Sequence, residues 1–296
     1  MLYDIRLELS HSYAGRASGA RHLTRVVPAT LPGRQVVRTS LLSCAPLADT
    51  RHGFRDFFGN EATVFYHDRP HDEMIVTMQA RVQCDAPEAQ LDMSPDRARL
   101  AQEIAQVSSL GSDAPHHFLG PSPRVPVRSE LAQFAREVVA HTRGGVLPQM
   151  QALGRALHKE MKFDASATTV ETPMIEAFEK RHGVCQDFSH IQIAALRSLG
   201  IPARYVSGFL RTLPPPGKPR LEGADAMHAW ISAWCGADMG WIEYDPTNDL
   251  SIETDHVVVA YGRDYSDVSP IKGVLRTAAK GTSAQGVDMI PVERAA

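Results

Sequence analysis

Apolar and polar side chains alternate strictly in the first part of the chain. Apolar positions recur at every second residue from Tyr3 to Leu9 and again from Met74 to Val82, which is the period of a half-buried strand. Two β-rich segments, residues 35–43 and 62–67, lie between these stretches and are bounded by proline and glycine. Short strands at such spacing are typical of an antiparallel sandwich. We therefore predict an N-terminal antiparallel β-sandwich domain over residues 1–86.

A helical period replaces the alternation in the middle of the chain. Ser94-Pro95 predicts a helix start, because serine caps helix N-termini and proline suits the first helical position. A second helix is expected from Ser129 and a third after Pro148. We assign residues 87–147 to a helical connector.

Helices and strands mix in the last part of the chain. Thr172-Pro173 predicts a helix that ends before Gly183, and a further helix is expected to begin near Cys185 and to end at Gly200. Three strands are then predicted, over residues 204–210, 228–234 and 241–244. The whole pattern predicts an α+β protein whose last unit covers residues 148–296.

Composition and charge exclude several classes of protein. The 296 residues include 31 basic and 34 acidic side chains, a net charge of −3, so the basic excess of a nucleic-acid-binding protein is absent. No apolar run approaches the ~18 residues of a membrane span, and the N-terminus lacks a basic-then-apolar signal sequence. We expect a cytoplasmic protein with neither a membrane nor a nucleic-acid partner.

Cys185 has a sequence context that the other three cysteines lack. It lies where a glycine-containing turn leads into a predicted helix. Unpaired N–H groups and the positive end of the helix dipole favour the nucleophilic thiolate there and can stabilise an oxyanion. No two cysteines form a CxxC pair, so zinc-ribbon spacing is absent, and we expect neither a metal nor another cofactor.

His228 and Asp245 are the residues that could act together with this thiol. His228 begins one predicted strand and Asp245 ends the next. Because a short turn joins these strands, an antiparallel pairing brings both residues to the same edge of the sheet. The carboxylate can then hold the imidazole while the other ring nitrogen faces a thiol. The order Cys185, His228, Asp245 predicts a catalytic triad.

Other polar residues have structural interpretations beside functional ones. Asp187 is expected to cap the helix that begins at Cys185. Trp230 is a core residue or a candidate for the wall of the cleft. The loop over residues 211–225 either borders the cleft or is a plain connector. His67 and His71, with the aspartates next to them, resemble a metal site, but an intervening proline and the lack of a third ligand favour a solvated turn.

Several blocks of the sequence resemble the bacterial transglutaminase-like superfamily. The blocks that resemble its cysteine, histidine and aspartate regions, and a downstream signature, are residues 183–190 (GVCQDFSH), 199–208 (LGIPARYVSG), 228–230 (HAW), 245–248 (DPTN) and 262–270 (GRDYSDVSP). The segments similar to the β-rich N-terminal domain that often precedes this core are residues 25–28 (RVVP), 32–35 (PGRQ) and 56–60 (DFFGN). Gln186 departs from relatives, which often have Arg, Gly or Trp at this position.

The resemblance implies a papain-like core in which a helix that carries the nucleophile packs on an antiparallel sheet. By this resemblance Cys185 is the nucleophile, with its backbone N–H as an oxyanion donor, His228 is the general base and then acid, and Asp245 orients the imidazole. Gln149 and Gln151 are candidates for a second oxyanion donor on position alone. The implied function is hydrolysis of peptide or amide bonds through a thioester. Transglutamination with an amine acceptor is the alternative, and an inactive binding or scaffold protein is a third hypothesis.

Overall fold

Strands form both ends of the chain and helices its middle in the computed structural model, which describes residues 1–88, 90–212, 225–276 and 281–292. The strands are β1 (Leu2–Thr24), β2 (Gln35–Ala45), β3 (Thr50–Arg55), β4 (Glu61–His67), β5 (His71–Cys84), β6 (Lys162–Phe163), β7 (His182–Gly183), β8 (Ala203–Leu210), β9 (Ala226–Trp234), β10 (Trp241–Asp245), β11 (Leu250–Ser251), β12 (His256–Gly262), β13 (Ile271–Arg276) and β14 (Gly281–Pro291). The helices are α1 (Arg97–Gln106), α2 (Ser129–Val139), α3 (Val146–Glu160), α4 (Met174–Lys180), α5 (Cys185–Ser198) and α6 (Tyr265–Val268), with a 3₁₀ turn over Pro115–Phe118. The predicted α+β class is confirmed.

The first sheet is antiparallel and is organised around the long strand β1. Its order is β2-β5-β1-β4-β3, and β13 and β14 also pair with β1. The first half of β1 pairs with β5 and β14, and its second half pairs with β4 and β13. Alternate side chains of β1, among them Tyr3, Ile5 and Leu7, are buried, as the sequence pattern predicts.

The C-terminal strands belong to this first sheet and not to the sheet of the core. β14 pairs with β1 over eleven residues, from Tyr3 opposite Pro291 to Tyr13 opposite Gly281. Val287 and Met289 point into the apolar core of that sheet. The predicted unit over residues 148–296 includes these strands because they are continuous with it in the chain, and chain order carries no information on the pairing of distant strands. Elsewhere the domain limits stay a prediction.

The second sheet supports α5, the helix that begins at Cys185. Its order is β11-β10-β9-β8-β12, with all neighbours antiparallel. α5 packs on β9 and β8 and contacts α2, α3 and α4. Helix and sheet therefore enclose it from several directions, and every residue from Gln186 to Arg197 is buried. Such an environment holds the first turn of α5 in a fixed position against the sheet.

Helix starts in the connector differ from the prediction in detail. α1 is capped by Asp96, whose Oδ1 accepts a hydrogen bond from the Arg99 N–H at 2.8 Å, so the predicted cap at Ser94 is wrong. The Ser94 hydroxyl instead accepts the N–H of Leu147 at 3.1 Å, in the first turn of α3. At the end of α5, Gly200 has φ +79°, which confirms the predicted glycine stop.

Candidate active site

Cys185 is the first residue of α5, and local contacts fix the backbone around it. The Asp187 carboxylate accepts a hydrogen bond from the Val184 N–H at 2.9 Å and one from the Thr168 hydroxyl at 2.6 Å. The predicted capping role of Asp187 is therefore confirmed. A Cβ at Gly183 would lie 2.8 Å from the Asp187 Oδ2, so the turn before Cys185 requires glycine. The thiol is thereby placed at the positive end of a buried helix.

His228 and Asp245 meet at one edge of the second sheet. His228 is near the start of β9 and Asp245 is the last residue of β10. The His228 Nε2 lies 2.7 Å from the Asp245 Oδ2. Because a carboxylate only accepts, this nitrogen carries the proton, and the opposite nitrogen is left for Cys185. A side-chain hydrogen bond between Cys185 and His228 contributes to the charge state of the histidine.

Burial and the neighbouring charges have opposite effects on the pKa values of His228 and Asp245. Burial lowers the pKa of His228, but the negative charge of Cys185 and the hydrogen bonds to Asp245 and Cys185 outweigh it and raise the pKa to about 10. Burial raises the pKa of Asp245, but hydrogen bonds from His228 and His256 hold it well below its usual range. The geometry therefore favours a protonated His228 imidazole beside the ionised Asp245 carboxylate.

His256 is a member of this cluster that sequence analysis missed. Its Nε2 lies 3.2 Å from the same Asp245 oxygen that His228 contacts, and the Asn248 amide donates to that oxygen at 2.7 Å. His256 begins β12, and in an antiparallel sheet the start of β12 lies at the same edge as the start of β9 and the end of β10. A histidine at the head of an apolar strand was the available signal, but the strand order was needed to interpret it.

Trp230 supports His228 from inside the protein. Its side chain is completely buried, so it does not form the wall of an open cleft, as sequence analysis suggested as one alternative. Its ring stacks near His228, with centroids 6.1 Å apart, and its Nε1–H donates to the Glu243 carboxylate at 2.6 Å. Glu243 also accepts two hydrogen bonds from Arg34, at 2.6 and 2.8 Å. A partly buried ion pair therefore links the residue that precedes β2 to the wall behind His228.

The remaining candidates from the sequence are two glutamines on α3 and the loop before β9. Gln192 donates to the backbone carbonyl of Met150 at 2.8 Å, and Gln192 follows Cys185 by about 10 Å along α5 at the helical rise. Gln149 is buried on the same helix as Met150, and the role of Gln149 or Gln151 as a second oxyanion donor stays a prediction. Of the loop 211–225, residues 213–224 lie outside the described residues.

The other cysteines and the paired histidines also have defined environments. Cys84 and Cys235 are buried, and burial raises their pKa values to about 11 and about 12. His67 and His71 are buried as well, whereas the aspartates next to them are exposed. The predicted solvated turn is therefore wrong for these two imidazoles, because they point into the first sheet.

His228, Asp245 and His256 are also a possible ligand set by geometry, since their ligand atoms lie within 4.8 Å of one another. The ring nitrogens and the carboxylate oxygen of this group already take part in the hydrogen bonds described above, so the three residues satisfy one another without an ion. Over the ranges that the structure describes, no helix is long and apolar enough to cross a bilayer. The cytoplasmic location stays a prediction.

Comparison with known proteins gives matches for both parts of the chain. Residues 132–246, which include Cys185, His228 and Asp245, match the Transglutaminase-like superfamily. Residues 3–83 match the Bacterial transglutaminase-like N-terminal region. The first match contains the second sheet up to β10 and the helix α5, and the second contains β1 to β5.

Two relatives and one solved structure match most of the chain, and one further relative matches a shorter part of it. An uncharacterized protein of Mycobacterium tuberculosis is 32% identical over 259 residues, which cover 85% of this chain and 81% of that protein. One of Mycobacterium leprae is 30% identical over 294 residues, with 96% and 97% covered. A crystal structure from Cytophaga hutchinsonii, named a "putative cysteine protease", has a TM-score of 0.76 at 20% identity and covers 100% of this chain and 92% of that chain. A protein-glutamine gamma-glutamyltransferase of Pseudomonas aeruginosa is 33% identical over 113 residues, or 36% of this chain and 17% of that protein.

Proposed function

Since this chain belongs to the Transglutaminase-like superfamily and is an enzyme of the thiol acyl-transfer kind, we propose that it hydrolyses peptide or other amide bonds through Cys185, His228 and Asp245. The observation that carries the proposal is the line of contacts from the thiol at the start of α5 through His228 to the Asp245 carboxylate. Peptides, proteins or smaller amides are the substrate class that this chemistry serves.

The first half of the proposed reaction forms a thioester. The Cys185 thiolate attacks the amide carbonyl carbon, and the carbonyl electrons move to the oxygen. The backbone N–H of Cys185, at the helix N-terminus, donates to that oxyanion. The protonated His228 then gives its proton to the amide nitrogen, the carbon–nitrogen bond breaks and an amine leaves. The bond from His228 to Asp245 keeps the imidazole ring oriented while its charge changes.

The second half of the proposed reaction is hydrolysis of the thioester. His228, now neutral, takes a proton from a water molecule as the hydroxide oxygen attacks the acyl carbon. The carbon–sulfur bond breaks, the thiolate is restored and a carboxylic acid is released. Water is the proposed acceptor because it reaches any open thioester, whereas transfer to an amine needs a second binding site for that amine.

Activity of a matched set of variants tests this function. We expect wild-type protein to cleave peptide or amide substrates from a diverse library and Cys185→Ala to lose cleavage completely. Asp245→Asn should retain the fold and lose about 10²–10⁴-fold in turnover, because a neutral amide stabilises the His228 imidazolium less than a carboxylate does. Cleavage at the wild-type rate by Cys185→Ala would overturn the proposed nucleophile. Equal activity of Asp245→Asn would overturn the role of the carboxylate.

Transglutamination is the second candidate function, because the matched Pseudomonas aeruginosa relative is named a protein-glutamine gamma-glutamyltransferase. A glutamine-containing peptide incubated with a fluorescent primary amine separates the two reactions. Amine incorporation faster than hydrolysis would support transfer, whereas ammonia release without incorporation would support hydrolysis. An inactive binding protein, the third hypothesis, requires that neither reaction occurs and that a cellular phenotype survives Cys185→Ala.

A further inference from the structure

A cleft of about 530 Å³ lies beside α5, the helix that begins at Cys185. Its walls come from the segment before α2, the segment that leads into α4, and parts of α5 and α6. Among the residues that line this α5 cleft are Arg124, Arg128, Glu171 and His190. Ligand sites of proteins typically occupy about 300–1,000 Å³. The α5 cleft is therefore large enough to hold part of a substrate.

One wall of the α5 cleft is attached to the turn that carries the thiol. The Val170 carbonyl accepts a hydrogen bond from the Gln186 side chain at 3.4 Å and another from Arg124. Gln186 directly follows Cys185, and His190 follows Cys185 by five residues, which is about 7.5 Å along the axis of α5. An extended peptide spans that distance in about two residues. A substrate held at the thiol can therefore reach the cleft with a group about two residues from the bond that reacts.

His190 has a ring N–H group for which no described residue supplies an acceptor. Its Nε2 accepts the backbone N–H of Tyr265 at 3.2 Å. Burial lowers the pKa of His190 well below its ordinary value, although the charge of Asp264 opposes this effect, so the ring is neutral at pH 7. A neutral imidazole whose Nε2 accepts carries its proton on Nδ1. His190 is only 2% exposed and lines the α5 cleft, so a group bound in the cleft is the acceptor that can reach this proton.

The two arginines that line the α5 cleft differ in their partners. Arg124 donates to the Val170 carbonyl and to the Glu171 carboxylate, the latter at 2.8 Å. The negative charge of Glu171 is therefore balanced by Arg124. Arg128 is exposed, and no carboxylate of the described residues lies within ion-pair distance of its guanidinium. The cleft thus offers one cation that is available to a ligand, together with the N–H group of His190.

We propose that the α5 cleft is a substrate subsite that binds a carboxylate group, with His190 and Arg128 as the donors. The inference rests on the proposed amide-bond chemistry at Cys185 and narrows the class of substrate for it. A carboxylate only accepts hydrogen bonds, so it supplies the acceptor that the His190 N–H lacks, and it pairs with the guanidinium of Arg128. In a peptide substrate this carboxylate belongs either to an acidic side chain or to the free C-terminus.

Peptide binding to the full-length variant Cys185→Ala tests the subsite without depending on turnover. The probes are acetylated alanine tetrapeptides of three kinds: amidated peptides with glutamate at each position in turn, a peptide with a free C-terminal carboxylate, and an amidated peptide without any carboxylate. Isothermal titration calorimetry gives each Kd. We expect a carboxylate peptide to bind about tenfold more tightly than the uncharged one. Tightest binding of a glutamate peptide identifies an acidic side chain as the ligand, and tightest binding of the free carboxylate identifies the chain terminus.

Substitutions in the Cys185→Ala background assign the donors. Arg128→Gln should abolish the preference for the carboxylate peptide and leave binding of the uncharged peptide unchanged. Arg136→Gln is the matched control, because Arg136 lies exposed on α2 and does not line the cleft, and it should keep the full preference. His190→Phe should also weaken binding of the carboxylate peptide alone. If His190→Phe does not fold, Arg128→Gln decides, because an exposed side chain is replaced there.

Four outcomes would overturn the subsite. They are equal binding of all peptides, no measurable binding of any peptide at millimolar concentration, an unchanged preference in Arg128→Gln, and the same loss of preference in Arg136→Gln. Cleavage of a peptide library by wild-type protein together with any of these outcomes rejects the subsite and leaves the proposed function standing. A carboxylate preference that depends on Arg128, in a protein that cleaves nothing, retains the binding site and rejects the proposed function.

Discussion

At the scale of single residues, the four cysteines differ in their surroundings. Cys185 is half-buried at the start of a helix beside His228. Cys84 and Cys235 lie in the apolar core, where burial raises their pKa values to about 11 and about 12. A thiol with so high a pKa stays protonated at neutral pH, and the protonated thiol is a poor nucleophile. The rate at which each thiol reacts with an alkylating reagent should therefore depend on the surroundings of that cysteine.

Alkylation of the native protein measures this difference. At pH 7.5 we expect iodoacetamide to modify Cys185 first, with Cys84 and Cys235 unmodified until the protein unfolds. Because His228 keeps its proton up to about pH 10, the rate at Cys185 should change little between pH 7 and pH 9. Mass spectrometry of tryptic peptides gives the rate at each thiol.

The variant His228→Gln is the control for the alkylation experiment. It removes the imidazolium, so the rate at Cys185 should fall at pH 7.5 and then rise with pH as an ordinary thiol ionises, around 8.5. Equal labelling of all four thiols in the native wild-type protein would contradict the assigned nucleophile.

His256 is expected to act as a positioning residue through Asp245. Replacing His256 by Ala removes one of three side-chain donors to the Asp245 Oδ2, so the carboxylate should hold His228 less firmly. We expect kcat to fall about tenfold with KM unchanged, and the alkaline limit of the pH profile to shift downward. His256→Gln can still donate a hydrogen bond and should recover most of the loss. If both variants have the wild-type pH profile, His256 is only a packing residue.

At the scale of elements, the turn before α5 controls where the thiol lies. Asp187→Ala removes the acceptor of the Val184 N–H, and we expect a loss of about 1–2 kcal/mol in the free energy of unfolding. Denaturant unfolding gives this number. Asp187→Asn keeps an oxygen acceptor and should lose less. Identical stability of the Ala variant and wild type would show that the first turn is held by the surrounding helices alone.

Local patterns predicted most elements of this fold, and pairing between distant strands explains the exceptions. Alternation located β1 and β5, and the glycine at position 200 marked the end of α5, because both signals depend on a few neighbouring residues. The role of His256 depends on the order of strands in the second sheet, which no local window contains. His67 and His71 looked solvated for the same reason, since their partners on β1 are more than forty residues away.

At the scale of the whole molecule, a partly buried ion pair connects the turn before β2 to the catalytic half. Arg34 contacts Glu243 through two hydrogen bonds, and Glu243 holds Trp230 behind His228. Arg34→Met leaves the Glu243 carboxylate buried with fewer donors, so we expect a loss of about 3 kcal/mol in unfolding free energy together with reduced kcat. Arg34→Met combined with Glu243→Gln should recover part of the stability. If Arg34→Met alone is as stable as wild type, the two halves are held together by other contacts.

The pairing of β14 with β1 has a consequence for how the chain is connected. Leu2 and Val292 are hydrogen-bonded neighbours, with the Val292 N–H donating to the Leu2 carbonyl at 2.8 Å. The catalytic segment, which carries Cys185, His228 and Asp245, thus lies in the chain between two strands that are adjacent in one sheet. A circular permutant that joins these positions by a short linker and opens the chain at another exposed loop would keep every contact in both sheets. During synthesis in the natural order, β1 can pair with β4 and β5 soon after they are made, but it gains β14 only after the whole catalytic segment has followed, so this sheet is completed late.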